Sequence, residues 1–198
     1  MRLFRKTPKE DDGKTLSEQL SELGIEYKEL PPLASDKIPP TVAELEKKYK
    51  EGTVALEKNP DSTDINVTEL RFLAYGLDFI DFAKNGFGVE LTLRESDIEI
   101  VEEMAEQAHR ALVAKELPQE NLTKFAKIFA GYLGLLITIH KGGEWVAEST
   151  INKDAGPGIM RNNGATVDFV LAKAYSRLQN GKEDDLVIFY RSIETTNS

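Results

Sequence analysis

Two histidines, a run of clustered carboxylates, a single tryptophan and a glycine-rich turn are the groups in this sequence whose types and spacing could do chemistry. Glu106 and His109 stand three residues apart. On a helix that spacing turns a carboxylate and an imidazole to one face, as carboxylate-bridged di-iron bundles require. Such a centre needs a second Glu-x-x-His, and the residue three before His140 is Ile137. No metal site and no cofactor is therefore expected, and Glu106 and His109 read as surface or boundary residues of an acidic helix.

Glu95, Asp97, Glu99, Glu102, Glu103 and Glu106 crowd one stretch. Paired carboxylates can divide general-acid and general-base roles when burial separates their pKa values. Helix N-termini also attract acids electrostatically, and an amphipathic helix presents a charged face to water. The second account needs nothing further, so no catalytic residue is assigned here. Glu99, Glu102, Glu103 and Glu106 are instead the candidate contacts to a basic partner.

His140-Lys141-Gly142-Gly143-Glu144-Trp145 places an imidazole, a glycine pair and the tryptophan where a helix turns into a strand. Trp145 could be a stacking platform and His140 a proton carrier. The structural alternative is that the glycines end the helix and Trp145 plugs the junction between helix and sheet. His140 has no evident nucleophile to serve: the chain holds no cysteine and no Gly-x-Ser-x-Gly elbow. Residues 156–164 are rich in glycine and asparagine but end Gly164-Ala165-Thr166, which matches neither a Walker loop nor a dinucleotide fingerprint. Their default reading is a turn between strands with positive φ supplied by Asn162-Asn163-Gly164. Arg161, beside that turn, joins His140, Glu144 and Trp145 as a candidate ligand-binding set.

The elements that must position these groups follow from periodicity. Leu16, Leu20 and Leu23 predict an amphipathic helix over residues 15–27, with Thr15 and Glu18 as a capping box. Pro31, Pro32, Pro39 and Pro40 then mark a linker. Thr41 and Glu44 repeat the box ahead of a second short helix ending near Gly52, followed by a brief strand at 53–56. An apolar stripe from Val67 to Ala83 predicts a helix stopped by Asn85-Gly86, and Val89, Leu91 and Leu93 alternate with polar residues as a half-buried strand does. A third box, Ser96 and Glu99, opens the acidic helix, which Pro118 closes. Residues 119–139 form the expected central helix, apolar on nearly every side in its second half. Strands at 144–150 and 159–161, a helix over 166–179 and a last helix over 183–193 complete the pattern. The fold class is α+β, mostly helical, with a small antiparallel sheet packed against several helices. The expected organisation is an N-terminal arm at 1–65 with two short helices and the proline-rich linker, a single domain at 66–194 and a tail at 195–198.

The whole chain has 198 residues, 34 acidic against 25 basic side chains, a formal charge of -9 and no cysteine. That composition excludes disulfides, thiolate metal sites and cysteine nucleophiles. An acidic excess repels phosphates, so nucleic acid is not an expected partner, and a basic protein is. No apolar run of signal-peptide length follows Met1-Arg2-Leu3-Phe4-Arg5-Lys6, so export by that route is not expected. The longest uncharged run, residues 128–140, is shorter than the roughly twenty residues of a membrane span. A cytoplasmic location with no membrane partner is expected.

The stretch from Phe125 to Ile193 resembles a class of small uncharacterised bacterial α+β proteins. The resemblance lies in a helix ending Gly142-Gly143-x-Trp145, a strand, a Gly/Pro/Asn loop, then a helix closed by Asn180-Gly181 before a final helix carrying Asp184-Asp185-Leu186 and Phe189-Tyr190. It implies a fold and carries no catalytic residue. The functional expectation is a cytoplasmic bacterial, non-enzymatic protein-binding module, by analogy akin to toxin-immunity proteins. The alternative is a hydrolase or small-ligand-binding protein whose pocket is lined by His140, Glu144, Trp145 and Arg161.

Overall fold

The computed structural model describes residues 37–147 and 156–194. The chain divides into two units, Met1–Pro31 and Pro32–Ser198, and the described residues belong to the second. The helix expected over 15–27, most of the linker, part of the strand expected at 144–150 and the tail at 195–198 lie outside the described residues.

Among the described residues there are six α-helices and a three-stranded antiparallel sheet. The first helix, α1, spans Val42–Lys58 and opens with the capping box read from the sequence. Thr41 Oγ1 accepts the Glu44 N–H and the Glu44 carboxylate accepts the Thr41 N–H at 2.7 Å. It does not stop at Gly52, and the strand expected at 53–56 is its last turns. A Cβ at Gly52 would lie 2.8 Å from Leu70 Cδ1, so this glycine marks close packing on the next helix rather than a break. That neighbour is α2, Val67–Phe82, whose N-cap Asn66 accepts the Glu69 N–H at 2.9 Å. α1 falls within the unit Pro32–Ser198. After α2 a π-helical turn, Ala83–Phe87, carries the chain to Gly88, whose φ of 70° supplies the left-handed stop expected at Asn85-Gly86.

Residues 88–94 are not a strand. Leu91 and Leu93 are buried and their neighbours exposed, as the alternation requires, but among the described residues no ladder partner lies alongside. Side chains satisfy the backbone instead. Thr92 N–H donates to Asp97 Oδ2 at 2.7 Å, Leu93 N–H to Tyr132 Oη at 3.2 Å, and Leu93 C=O accepts from His140 Nε2 at 2.8 Å. Those ties hold Leu93 at a φ of 60°, a left-handed conformation that a bulky residue rarely adopts.

The acidic helix is α3, Asp97–Val113. Its expected Ser96–Glu99 box does not form: Ser96 makes no capping bond, and the Asp97 carboxylate turns back to Thr92. A 3-10 turn, Gln119–Asn121, leads into α4, Leu122–His140, the central helix. Together they make 22 residues apolar enough by length and composition to cross a membrane, longer than the uncharged run suggested, but most of that length is buried within the protein. α2 crosses α4 at Gly76 and Gly131, where a Cβ on Gly131 would collide with the backbone of Tyr75 and Gly76.

The sheet is a meander of β1 (Glu144–Val146), β2 (Gly158–Arg161) and β3 (Thr166–Asp168), with Trp145 opposite Ile159 and Met160 opposite Val167. Asn162 and Asn163, at φ 52° and 55°, turn the chain between β2 and β3 as expected. The helix expected from Thr166 begins later, as α5, Val170–Asn180, because the first residues pair with β2. Gly181, at φ 91°, and a 3-10 turn, Lys182–Asp184, lead to the short α6, Leu186–Ser192. α4 is packed chiefly between α2 and α5, with α3 and α6 beyond, so the molecule is a mostly helical α+β structure.

Candidate functional site at the seat of the C-terminal helix

The four residues nominated for ligand binding do not share a cleft. Trp145, 3% exposed, stacks on Phe72 with ring centroids 4.0 Å apart and fills the space beside Gly134. His140, also 3% exposed, points to Leu93. A carbonyl can only accept, so its Nε2 carries the hydrogen and is engaged in shaping the 88–94 segment. Glu144 is exposed and borders a shallow depression of 330 Å³ together with Arg161 and Asn162–Gly164. The Arg161 guanidinium is nevertheless bound inward, by Nε and Nη2 to Asp168 and by Nη1 to the Glu194 carbonyl at 2.6 Å. Trp145 borders a different opening of 530 Å³, between the starts of α1 and α2 and the end of α4, which His140, Glu144 and Arg161 do not line. Among the described residues, neither opening is lined by all four.

The four nominated acids separate in a similar way. Glu99 and Glu103 face solvent, Glu99 with 60% of its side chain exposed. Glu102 and Glu106 turn inward to Arg177 of α5, which is fully buried. Arg177 Nε and Nη2 both reach Glu102, at 2.9 and 2.7 Å, and Nη2 also reaches Glu106 at 2.8 Å. This is the fork geometry in which guanidinium binds carboxylate most strongly. Burial pushes the Glu102 pKa above its usual value, and the bonds from Arg177 and the Leu186 N–H do not fully offset that rise. Burial also acts upward on Glu106, but Arg177 and Arg110 outweigh it and leave the pKa below normal. These two acids are only partly exposed and are bonded to Arg177, whereas Glu99 and Glu103 lie open to solvent. The same geometry accounts for Glu106 and His109 as a candidate metal pair: the first is bound by arginines, and His109 Nδ1 meets the Leu178 carbonyl at 2.9 Å.

What these residues and their neighbours hold is α6. Glu102 Oε2 accepts the Leu186 N–H at 2.9 Å, Glu95 Oε1 accepts the Tyr190 hydroxyl at 2.8 Å, and Glu99 meets Arg191 Nη2 at 3.3 Å. Arg161 binds the carbonyl of Glu194 just beyond the helix. Lys141 pairs with Glu95 at 2.9 Å and lies 5.0 Å from the Tyr190 ring centre, within cation–π range. Burial, then the bond to Glu95, raises the Tyr190 pKa far above the ordinary phenol range, so the hydroxyl stays a donor. The nominated residues Glu99, Glu102 and Arg161 thus meet around one element, contributed by the chain's own C-terminal segment.

Glu95, Lys141, Arg177 and Tyr190 were not singled out as site residues by sequence reasoning. Arg177 had a readable signal: it continues the stripe Val170, Ala174, Leu178 on the inner face of α5, and a charge in an apolar stripe requires a buried counter-charge. Glu95 and Lys141 are far apart in sequence, and nothing local announces their pairing. No family model matches this chain, no curated protein matches it, and no solved structure matches it.

Proposed function

We propose that this protein is a non-enzymatic module that works in the cytoplasm by binding another protein, one with a basic surface. The observation that carries the reading is the disposition of polar groups. His140, Arg161, Arg177, Glu102 and Glu106 all make internal bonds, while Glu99 and Glu103 remain outward on α3 in a chain of net charge -9. Carboxylates on an exposed helix face steer a cationic partner and set its orientation. A cysteine-free composition suits a reducing compartment. By analogy with acidic bacterial proteins of similar size, the cationic partner of an immunity protein is one form such a ligand takes.

The test is affinity capture from the native host with wild-type protein and with the pair Glu99→Lys and Glu103→Lys. The expected result is a cationic protein enriched by the wild type, lost on charge reversal and weakened by added salt. Capture of the same proteins by both forms would rule the reading out.

A further inference from the structure

We propose that α6 is a displaceable latch, and that its seat is the docking site for a helical segment of the partner carrying the same chemistry: an apolar residue, a tyrosine four positions later and an arginine beside it. This deepens the protein-binding reading and rests on it. The pattern is the one α6 presents. Leu186, Tyr190 and Ile193, at i, i+4 and i+7, are all buried, and Arg191 reaches Glu99. At seven residues α6 is too short to hold helical form alone, so its shape depends on the seat.

Most of the seat is held independently of α6. Glu102 is held by Arg177, Glu106 by Arg177 and Arg110, Glu95 by Lys141, and Arg161 by Asp168. Glu95, Glu102 and Arg161, which receive α6, are each positioned by a residue outside it, whereas Glu99 meets Arg191 of α6 itself; a largely preorganised site binds with less cost of ordering itself. The seat is also incompletely matched by its present occupant. Arg177 Nη1 and Arg191 Nε are buried with no hydrogen-bond partner. Departure of α6 returns the Arg191 nitrogen to water, and a partner helix that offers Arg177 an oxygen satisfies the other. The connection that must move is short and local: Gly181 and the turn Lys182–Asp184. Undocking leaves Glu95 paired with Lys141 and Glu102 with Arg177 but takes Arg191 from Glu99, and that released carboxylate selects a cationic helix over an acidic one.

The absence of cysteine makes a direct test possible, because two introduced thiols are the only ones in the chain. Glu99→Cys with Arg191→Cys, joined by a short bismaleimide, locks α6 in place, and the same double variant left unlinked, which shares the loss of Glu99, is the reference against which the lock is read. Leu186→Ala, with Tyr190→Phe as a milder second variant, loosens it. The probe is a fluorescein-labelled synthetic peptide of residues 183–194, titrated against full-length wild-type, locked and loosened proteins by anisotropy. The expected result is at least tenfold tighter binding to the loosened protein than to the locked one, with wild type between, and loss of binding when the peptide's arginine is replaced by glutamate. Equal binding to locked and loosened proteins, or no binding to either, overturns the proposal. So does a dimer formed by exchange of α6, which makes the seat a self-association site. If thermal melting shows that Leu186→Ala has not folded, Tyr190→Phe decides by the same comparison. Because the peptide experiment needs no native partner, its failure leaves the capture experiment standing, whereas failure of capture removes the partner from the proposal and leaves the displacement of α6 to the peptide result.

Discussion

Arg177 has the environment in which one substitution changes most. Removing one member of a buried ion pair leaves the other charge uncompensated at a cost of about 3–5 kcal/mol. Arg177→Met leaves Glu102 in that condition, while Glu106 keeps its bond from Arg110, and urea denaturation is expected to show a loss of that size. Glu102→Gln keeps an oxygen for the Leu186 N–H and removes a charge that burial disfavours, so it is expected to cost much less. The sign of its pH dependence follows from the raised Glu102 pKa. A carboxyl with a folded pKa above its unfolded value, about 4.3, contributes stability that is present below the unfolded pKa and is lost as pH rises through the folded one. Wild type is therefore expected to lose ground relative to Glu102→Gln as pH increases through that window. For Glu106 the shift is downward, so its contribution is present above about pH 4.3 and lost as pH falls through its folded pKa. Glu106→Gln should show the opposite trend in the same titration of urea midpoints. Opposite slopes from two acids one helical turn apart are a sharp check on which carboxylate burial governs.

At the scale of elements, the packing of α4 is set by two glycines with different neighbours. A methyl group at Gly131 meets the backbone of α2, which cannot move without separating the helices, whereas one at Gly134 meets the Trp145 ring. Overpacking a core typically costs about 1–3 kcal/mol. Gly131→Ala is expected at or above the top of that range and Gly134→Ala below it, with only the latter shifting tryptophan fluorescence. The 88–94 segment shows a different kind of constraint. Tyr132 donates to Asp97 at 2.6 Å and accepts from Leu93 N–H, so Tyr132→Phe strands a buried amide and a carboxylate bond together. About 1–3 kcal/mol is expected from the stranded amide, with faster hydrogen exchange at Leu93 and Thr92. Alternation in this segment was legible and correctly gave the buried residues. Whether a ladder partner lies alongside is not a local property, and side chains of Asp97, Tyr132 and His140 took the place of the neighbouring strand.

For the molecule as a whole, the exposed and inward acids of α3 should separate by experiment. Glu99→Lys with Glu103→Lys changes surface charge, and such positions typically alter stability by no more than about 0.5 kcal/mol each. Glu102→Lys puts a cation against buried Arg177 and is expected to prevent folding, seen as loss of the cooperative melt. Neighbouring acids of one helix look equivalent in sequence because period alone does not say which face another helix covers. The helical content, the central helix, the turn at Asn162-Asn163 and the placing of Trp145 as a plug between helix and sheet were legible, since each follows from local periodicity or backbone geometry. The division of the acids, the bonding of Arg161 and His140, and the meeting of Glu95, Glu99, Glu102 and Arg161 around α6 were decided by tertiary structure. Those contacts join residues up to 95 positions apart. A chain's local pattern specifies which side chains turn inward, but only packing of distant elements determines which charge each of them meets there.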